Sequence, residues 1–150
     1  MNGVTIRETP LTEAVLETLI AFSRDWEAEH SCHGYRANER ADIEGMRVFL
    51  AEDGGRVIGY LFGRPFRSEK ASSIMQDGTP YFEIEELYVV PERRSRGVGR
   101  ALMAAAEQAV KGEVEYIMLS TASKNWRAVL HFYIDEAGME FWSARLFRKL

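Results

Sequence analysis

The segment Val89-Val90-Pro91-Glu92-Arg93-Arg94-Ser95-Arg96-Gly97-Val98-Gly99-Arg100-Ala101 constrains this chain most. It leads out of an apolar strand-like run, through a basic turn with two glycines, and directly into a helix-like run. The first N–H groups of a helix lack intrahelical partners and carry partial positive charge, so a diphosphate can be cradled there if the backbone can approach it. Gly97 and Gly99 permit that approach, and Arg93, Arg94, Arg96 and Arg100 add formal charge around it. Two familiar readings fail. A P-loop needs Gly-Lys-Ser/Thr where Gly99-Arg100-Ala101 stands, and a dinucleotide fingerprint needs glycine at Leu102 and a place after the first strand. A plain helix start with solvated arginines is the remaining alternative, and the surrounding elements must decide.

Those elements read in the order β-α-α-β-β-β-α-β-α-β-β. Val4 to Arg7 is a short strand, and Leu11, Val15, Leu16, Leu19, Ile20 and Phe22 recur at helical spacing in a helix running to about His30. A weaker helix is expected over Asn38 to Gly45. Asp53-Gly54-Gly55 between Val48–Ala51 and Arg56–Phe62 signals a hairpin. A long connection, Arg64 to Pro80, precedes a strand over Tyr81 to Val90. Next come a helix from Gly97 to Lys111, a strand from Val114 to Ser120, and a helix from Asn125 to Ala137 stopped by Gly138. A strand pair over Met139–Trp142 and Arg145–Leu150 is expected to finish the sheet. The class is α/β or α+β, one domain over residues 1–150, with six or seven strands and about four helices.

Strict alternation in Tyr81–Val89 would set Phe82 and Ile84 on one face and Leu87 and Val89 on the other. The phase slips at Glu85-Glu86, which predicts a β-bulge.

Composition narrows the partners. A net charge of -4 argues against a polyanion footprint, so nucleic acid is not expected. One cysteine, Cys32, allows neither an intrachain disulfide nor a cysteine-based zinc site, and Glu29, His30, Cys32 and His33 match no zinc motif. No metal is expected. Arg7 and Glu8 interrupt any N-terminal secretory run, and no stretch approaches the length of a membrane span, so a cytoplasmic protein is expected.

Arg94-Ser95-Arg96-Gly97-Val98-Gly99 resembles the Q/R-x-x-G-x-G/A signature of the GNAT (GCN5-related) N-acetyltransferases. The similarity extends back through Leu87-Tyr88-Val89-Val90-Pro91 and on to Asn125 and Phe132-Tyr133...Gly138-Met139. The resemblance implies a mixed, mostly antiparallel sheet and acetyl-CoA as cosubstrate. Its pyrophosphate would lie on Arg94, Ser95, Arg96, Gly97, Val98, Gly99 and Arg100, and its pantetheine along Leu87, Tyr88 and Val89. Asn125 would join the cofactor site.

Acetyl transfer to an amine then needs a base, because an alkyl amine with a pKa of about 10.4 is protonated at neutral pH. Glu85 at the bulge is the expected base, with Glu83 and Glu86 as competing carboxylates. A backbone N–H near Val89 would stabilise the oxyanion. Tyr133 is the expected acid for the departing thiolate, with Tyr88 as the alternative phenol. The family spaces asparagine and tyrosine by seven residues, whereas Asn125 to Tyr133 is eight, so the helix is expected to carry a bulge or a shifted register. The resemblance thus implies an N-acetyltransferase, monomer or homodimer, acting on a small-molecule or peptide amine by direct attack on the thioester. The alternative is a non-catalytic coenzyme A-binding sensor or interaction module of the same fold.

Overall fold

The structure is a computed structural model that describes residues 3–71 and 73–150; Met1, Asn2 and Ser72 of the expected 1–150 domain lie outside the described residues. Five strands form one sheet in sequence order: β1 (Val4–Thr9), β2 (Arg47–Asp53), β3 (Arg56–Arg67), β4 (Pro80–Val89) and β5 (Tyr116–Met118). The first four pair antiparallel, while β5 runs parallel to β4. Four helices accompany them: α1 (Glu13–Glu29), α2 (Arg40–Ile43), α3 (Val98–Val110) and α4 (Trp126–Leu130), the last continuing as a π-helix over His131–Glu136. No helix of the described residues is long and apolar enough to cross a membrane.

The helices take opposite faces of the sheet. Helix α1 starts at Thr12, whose hydroxyl accepts from Val15 N at 3.2 Å, an N-cap that satisfies an otherwise orphaned donor. Its Phe22 and Trp26 pack on Tyr60 and Tyr88, which are register partners on β3 and β4. Helix α3 buries Val98, Leu102, Met103, Ala106 and Val110, an i, i+4 stripe. It lies on the other face, where Gly59 leaves room: a Cβ there would stand 3.4 Å from Leu102 and 2.8 Å from Tyr88 O.

The sequence expectation holds for the hairpin and the central elements and fails at two places. Strand β3 runs on through Pro65 to Arg67. Its pairing with β2 ends at Arg47↔Gly63, so Pro65 borders β4 alone, an edge position that tolerates a residue without an N–H. The expected strands Met139–Trp142 and Arg145–Leu150 do not form, which leaves five strands among the described residues rather than six or seven. Phe141-Trp142 and Leu146-Phe147 are adjacent apolar pairs without alternation, so the tail has no single face to bury. Instead Trp142 Nε1 donates to Ser73 Oγ at 3.0 Å and Phe147 meets His33 edge-on, while Leu146 and Phe147 stay exposed.

Candidate active site

The β-bulge lies where the phase slip predicts it. Phe62 pairs with Glu86 and Gly63 with Ile84, so Glu85 is the extra residue on β4. The slip keeps Phe82, Ile84, Leu87 and Val89 on the α3 face, and it turns Tyr81, Glu83, Glu86 and Tyr88 toward the α1 face. Gly63 makes the geometry feasible, since a Cβ there would fall 2.1 Å from Glu83 O.

Strands β4 and β5 part at the same level. Their last register pair is Glu83↔Met118, so among the described residues β4 has no strand partner on that edge from Ile84 onward. Val90 N donates to Ile58 O on β3 at 2.9 Å. Successive strand amides point to opposite edges, so Tyr88 N–H aims at β3 while Leu87 and Val89 N–H aim at the open edge. Tyr88's ring is buried against Phe22 and Trp26. Of the three residues expected to line this groove, Leu87 and Val89 therefore offer their amides to it.

Above the open edge sits the glycine turn. Ser95 and Gly97 adopt left-handed backbone at φ 60 and 87, a conformation from which backbone nests for anions are built. Ala101 N is bonded to Gly97 O at 3.0 Å. The amides of Gly97, Val98, Gly99 and Arg100 ahead of it have no backbone acceptor among the described residues. Gly99 is helical, and its hydrogen serves packing: a Cβ there would lie 3.3 Å from the Phe132 ring.

The four arginines divide into two sets, which spacing could not reveal. Arg93 is bonded to Asp53 at 2.7 Å. Arg94 forms a two-point pair with Glu29 at 2.7 and 2.9 Å, donates Nε to Val89 O at 2.7 Å, and lies over the Tyr88 ring. These two brace the turn against the sheet. Arg96 and Arg100 are exposed and have no carboxylate partner among the described residues, so they carry the positive charge available to a ligand.

The three β4 carboxylates have different surroundings. Glu85 is exposed. Glu83 is half-buried, and burial together with the charge of Glu85 pushes its carboxyl up to about 7. Glu86 is partly buried, which raises its carboxyl above the ordinary range, and it accepts four hydrogen bonds, three of them at Oε1. Tyr60 Oη donates to it at 2.8 Å, Tyr35 Oη at 3.1 Å, and Asn38 Nδ2 at 2.9 and 3.0 Å.

Asn125 stands at the N-cap position of α4 without a side-chain cap bond, and the expected irregularity around Tyr133 is a π-helix over His131–Glu136, where Ala137 N reaches Phe132 O, five residues back, at 2.8 Å. One inserted residue per π-turn is what this geometry absorbs. Phe132 is thereby packed on the start of α3, and Tyr133 lies in the partly buried layer beside Cys32, where burial pushes its phenol up to about 12.

A model of the acetyltransferase (GNAT) family matches residues 14–139. Among proteins of curated function, no sequence matches the chain. Solved structures share its fold. An aminoglycoside acetyltransferase from an uncultured soil metagenomic sample, in complex with trehalose, is 20% identical with a TM-score of 0.68, covering 99% of this chain and 97% of its own. The aminoglycoside acetyltransferase AAC(6')-Iy, in complex with the bisubstrate analogue CoA-S-monomethyl-acetylneamine, is 18% identical with a TM-score of 0.68, covering 98% and 97%. A transcriptional regulator from Bacillus halodurans C-125 is 22% identical with a TM-score of 0.71, covering 98% and 99%. At these identities the likeness speaks for the fold.

Proposed function

Because the chain belongs to the acetyltransferase (GNAT) family, we propose that it moves the acetyl group of acetyl-CoA to a primary amine by direct attack of the amine on the thioester. The observation that carries this reading is the fork of β4 and β5 beneath the glycine turn. There, outward amides of Leu87 and Val89 adjoin a helix start whose first N–H groups have no backbone acceptor, and two arginines without a carboxylate partner, among the described residues. Pyrophosphate binds at Ser95 to Arg100, with Arg94 bracing the turn rather than touching phosphate, and pantetheine lies along Leu87 and Val89. Val89 N–H faces the carbonyl oxygen as negative charge develops there.

The base belongs to the Glu83–Glu85 pair. Glu85 sits on the bulge, and Glu83 lies on the α1 face with its affinity for a proton already raised by burial and by Glu85. A carboxylate near 7 accepts a proton from an ammonium far more readily than one at its ordinary value. Tyr133 stays protonated at neutral pH and donates a hydrogen bond to the departing sulfur. A π-helix at Tyr133 gives the unusual spacing a local structural cause, which supports the catalytic reading over a coenzyme A-binding module without turnover. Aminoglycosides lead the acceptor panel, since proteins of like fold are acetyltransferases of that class.

The test is thiol release from acetyl-CoA with aminoglycosides, polyamines, amino acids and peptide N-termini, comparing wild type with Tyr133→Phe and with Glu83→Gln and Glu85→Gln. Amine-dependent release, slowed by Tyr133→Phe and by at least one glutamate change, is the expected result. Tight coenzyme A binding without release from any amine would transfer the assignment to the sensor reading.

A further inference from the structure

We infer that Glu86 is a positioning residue that anchors a strap, Ser31–Asn38, across the fork of β4 and β5 and so sets how the acceptor amine enters. This rests on the acetyltransferase reading above. The strap is tied to both arms of the fork. At its start, Cys32 bridges to Ser123, His33 N donates to Ala122 O at 3.0 Å, and Lys124 N donates to Ser31 O at 2.8 Å, all on the segment that follows β5. At its end, Tyr35 and Asn38 reach Glu86 on β4.

Between those ties the two strands have already separated, since their pairing stops at Glu83↔Met118. Glu86 also lies on the same face of β4 as Glu83, so the strap covers the face that carries the half-buried carboxylate. Two further bonds fix the strap's end to α1: Asn38 N donates to Ser23 Oγ at 2.9 Å, and Ala37 N to Glu27 Oε2 at 2.8 Å.

Glu86 is committed to the strap rather than placed as the base. Tyr35, Asn38 and Tyr60 all donate to its Oε1, so a proton taken there would displace a donor already in place. Its role is to hold two donors of the strap against a third, Tyr60, that is fixed in the sheet.

Glu86→Gln tests this, because the amide keeps the shape but turns one acceptor into a donor facing Asn38 Nδ2. Hydrogen exchange at the amides of Ala37 and Asn38 is expected to speed up about tenfold, the scale of one lost bond to a charged group. Amides of β2 and β3 should be unchanged. In turnover, KM for the amine should rise about tenfold while kcat and coenzyme A affinity stay within about twofold. The pair Glu86→Gln with Asn38→Asp reverses donor and acceptor and should restore the exchange rates and KM. If Glu86→Gln proves too unstable to measure, Tyr35→Phe removes one tie and should show the same pattern at smaller size. Unchanged exchange in the strap, or loss confined to kcat or to coenzyme A affinity, would overturn the inference. A wild type that acetylates no amine would sink the functional reading alone, and the exchange arm would still decide the anchor.

Discussion

Glu83 and Glu85 stand two residues apart on β4, and the charge of one raises the proton affinity of the other. That coupling separates their roles experimentally. With Glu83 as the base, kcat/KM rises with pH through a midpoint near its raised value of about 7. Glu83→Gln should then remove that rising limb, whereas Glu85→Gln should keep it and move its midpoint down, because the repulsive charge is gone. The reverse result, a limb lost in Glu85→Gln, makes the bulge carboxylate the base. The same shift predicts a stability effect. A carboxyl whose folded pKa, about 7, exceeds its ordinary 4.5 holds its proton in the folded state over that interval, so unfolding free energy should fall as pH rises between those values. Urea melts at pH 5 and pH 8 should show a smaller difference for Glu83→Gln than for wild type.

At the scale of elements, the bulge depends on one hydrogen atom. Gly63→Ala would place a methyl 2.1 Å from Glu83 O, against backbone that cannot turn away, and strand β3 or β4 must move. A loss of about 1–3 kcal/mol is expected from such overpacking, read as a lower denaturant midpoint, with acetyl transfer reduced further than stability alone explains. The bulge was legible in the sequence because alternation is a local rule: Phe82, Ile84, Leu87 and Val89 can share a face only if one residue is skipped. The π-helix was legible for a similar reason, as one residue too many between Asn125 and Tyr133. The tail was not. A strand over Met139–Trp142 needs a partner edge and one buried face, and neither is encoded within the segment itself. The Glu86 network also escaped, since Tyr35 lies 51 residues away and only the fold brings it near. What the segment does carry is its charge and its place one residue beyond the slip, which suffices to name a candidate but not to distinguish an anchor from a base.

Across the whole molecule, the sorting of the arginines separates binding from folding. Arg93 and Asp53 join the turn before α3 to the end of β2, a contact between segments 40 residues apart that belongs to the fold itself. Arg96 and Arg100 make no such contact among the described residues, and in the proposed reading they face the pyrophosphate. Coenzyme A that binds only the folded chain stabilises it by about 2.7 kcal/mol at a hundredfold excess over Kd, which for a domain of this size shifts Tm by roughly 5–10 °C. Arg93→Gln should therefore lower Tm without ligand and keep most of the coenzyme A-induced rise. Arg96→Gln with Arg100→Gln should leave the ligand-free Tm within about 1–2 °C and lose much of the rise, the more so at low salt where exposed charges act most strongly. Thermal melts of the three proteins, with and without coenzyme A, measure both quantities at once. An equal rise in all three would mean that the backbone nest alone holds the pyrophosphate, and that the two free arginines serve the encounter rather than the complex.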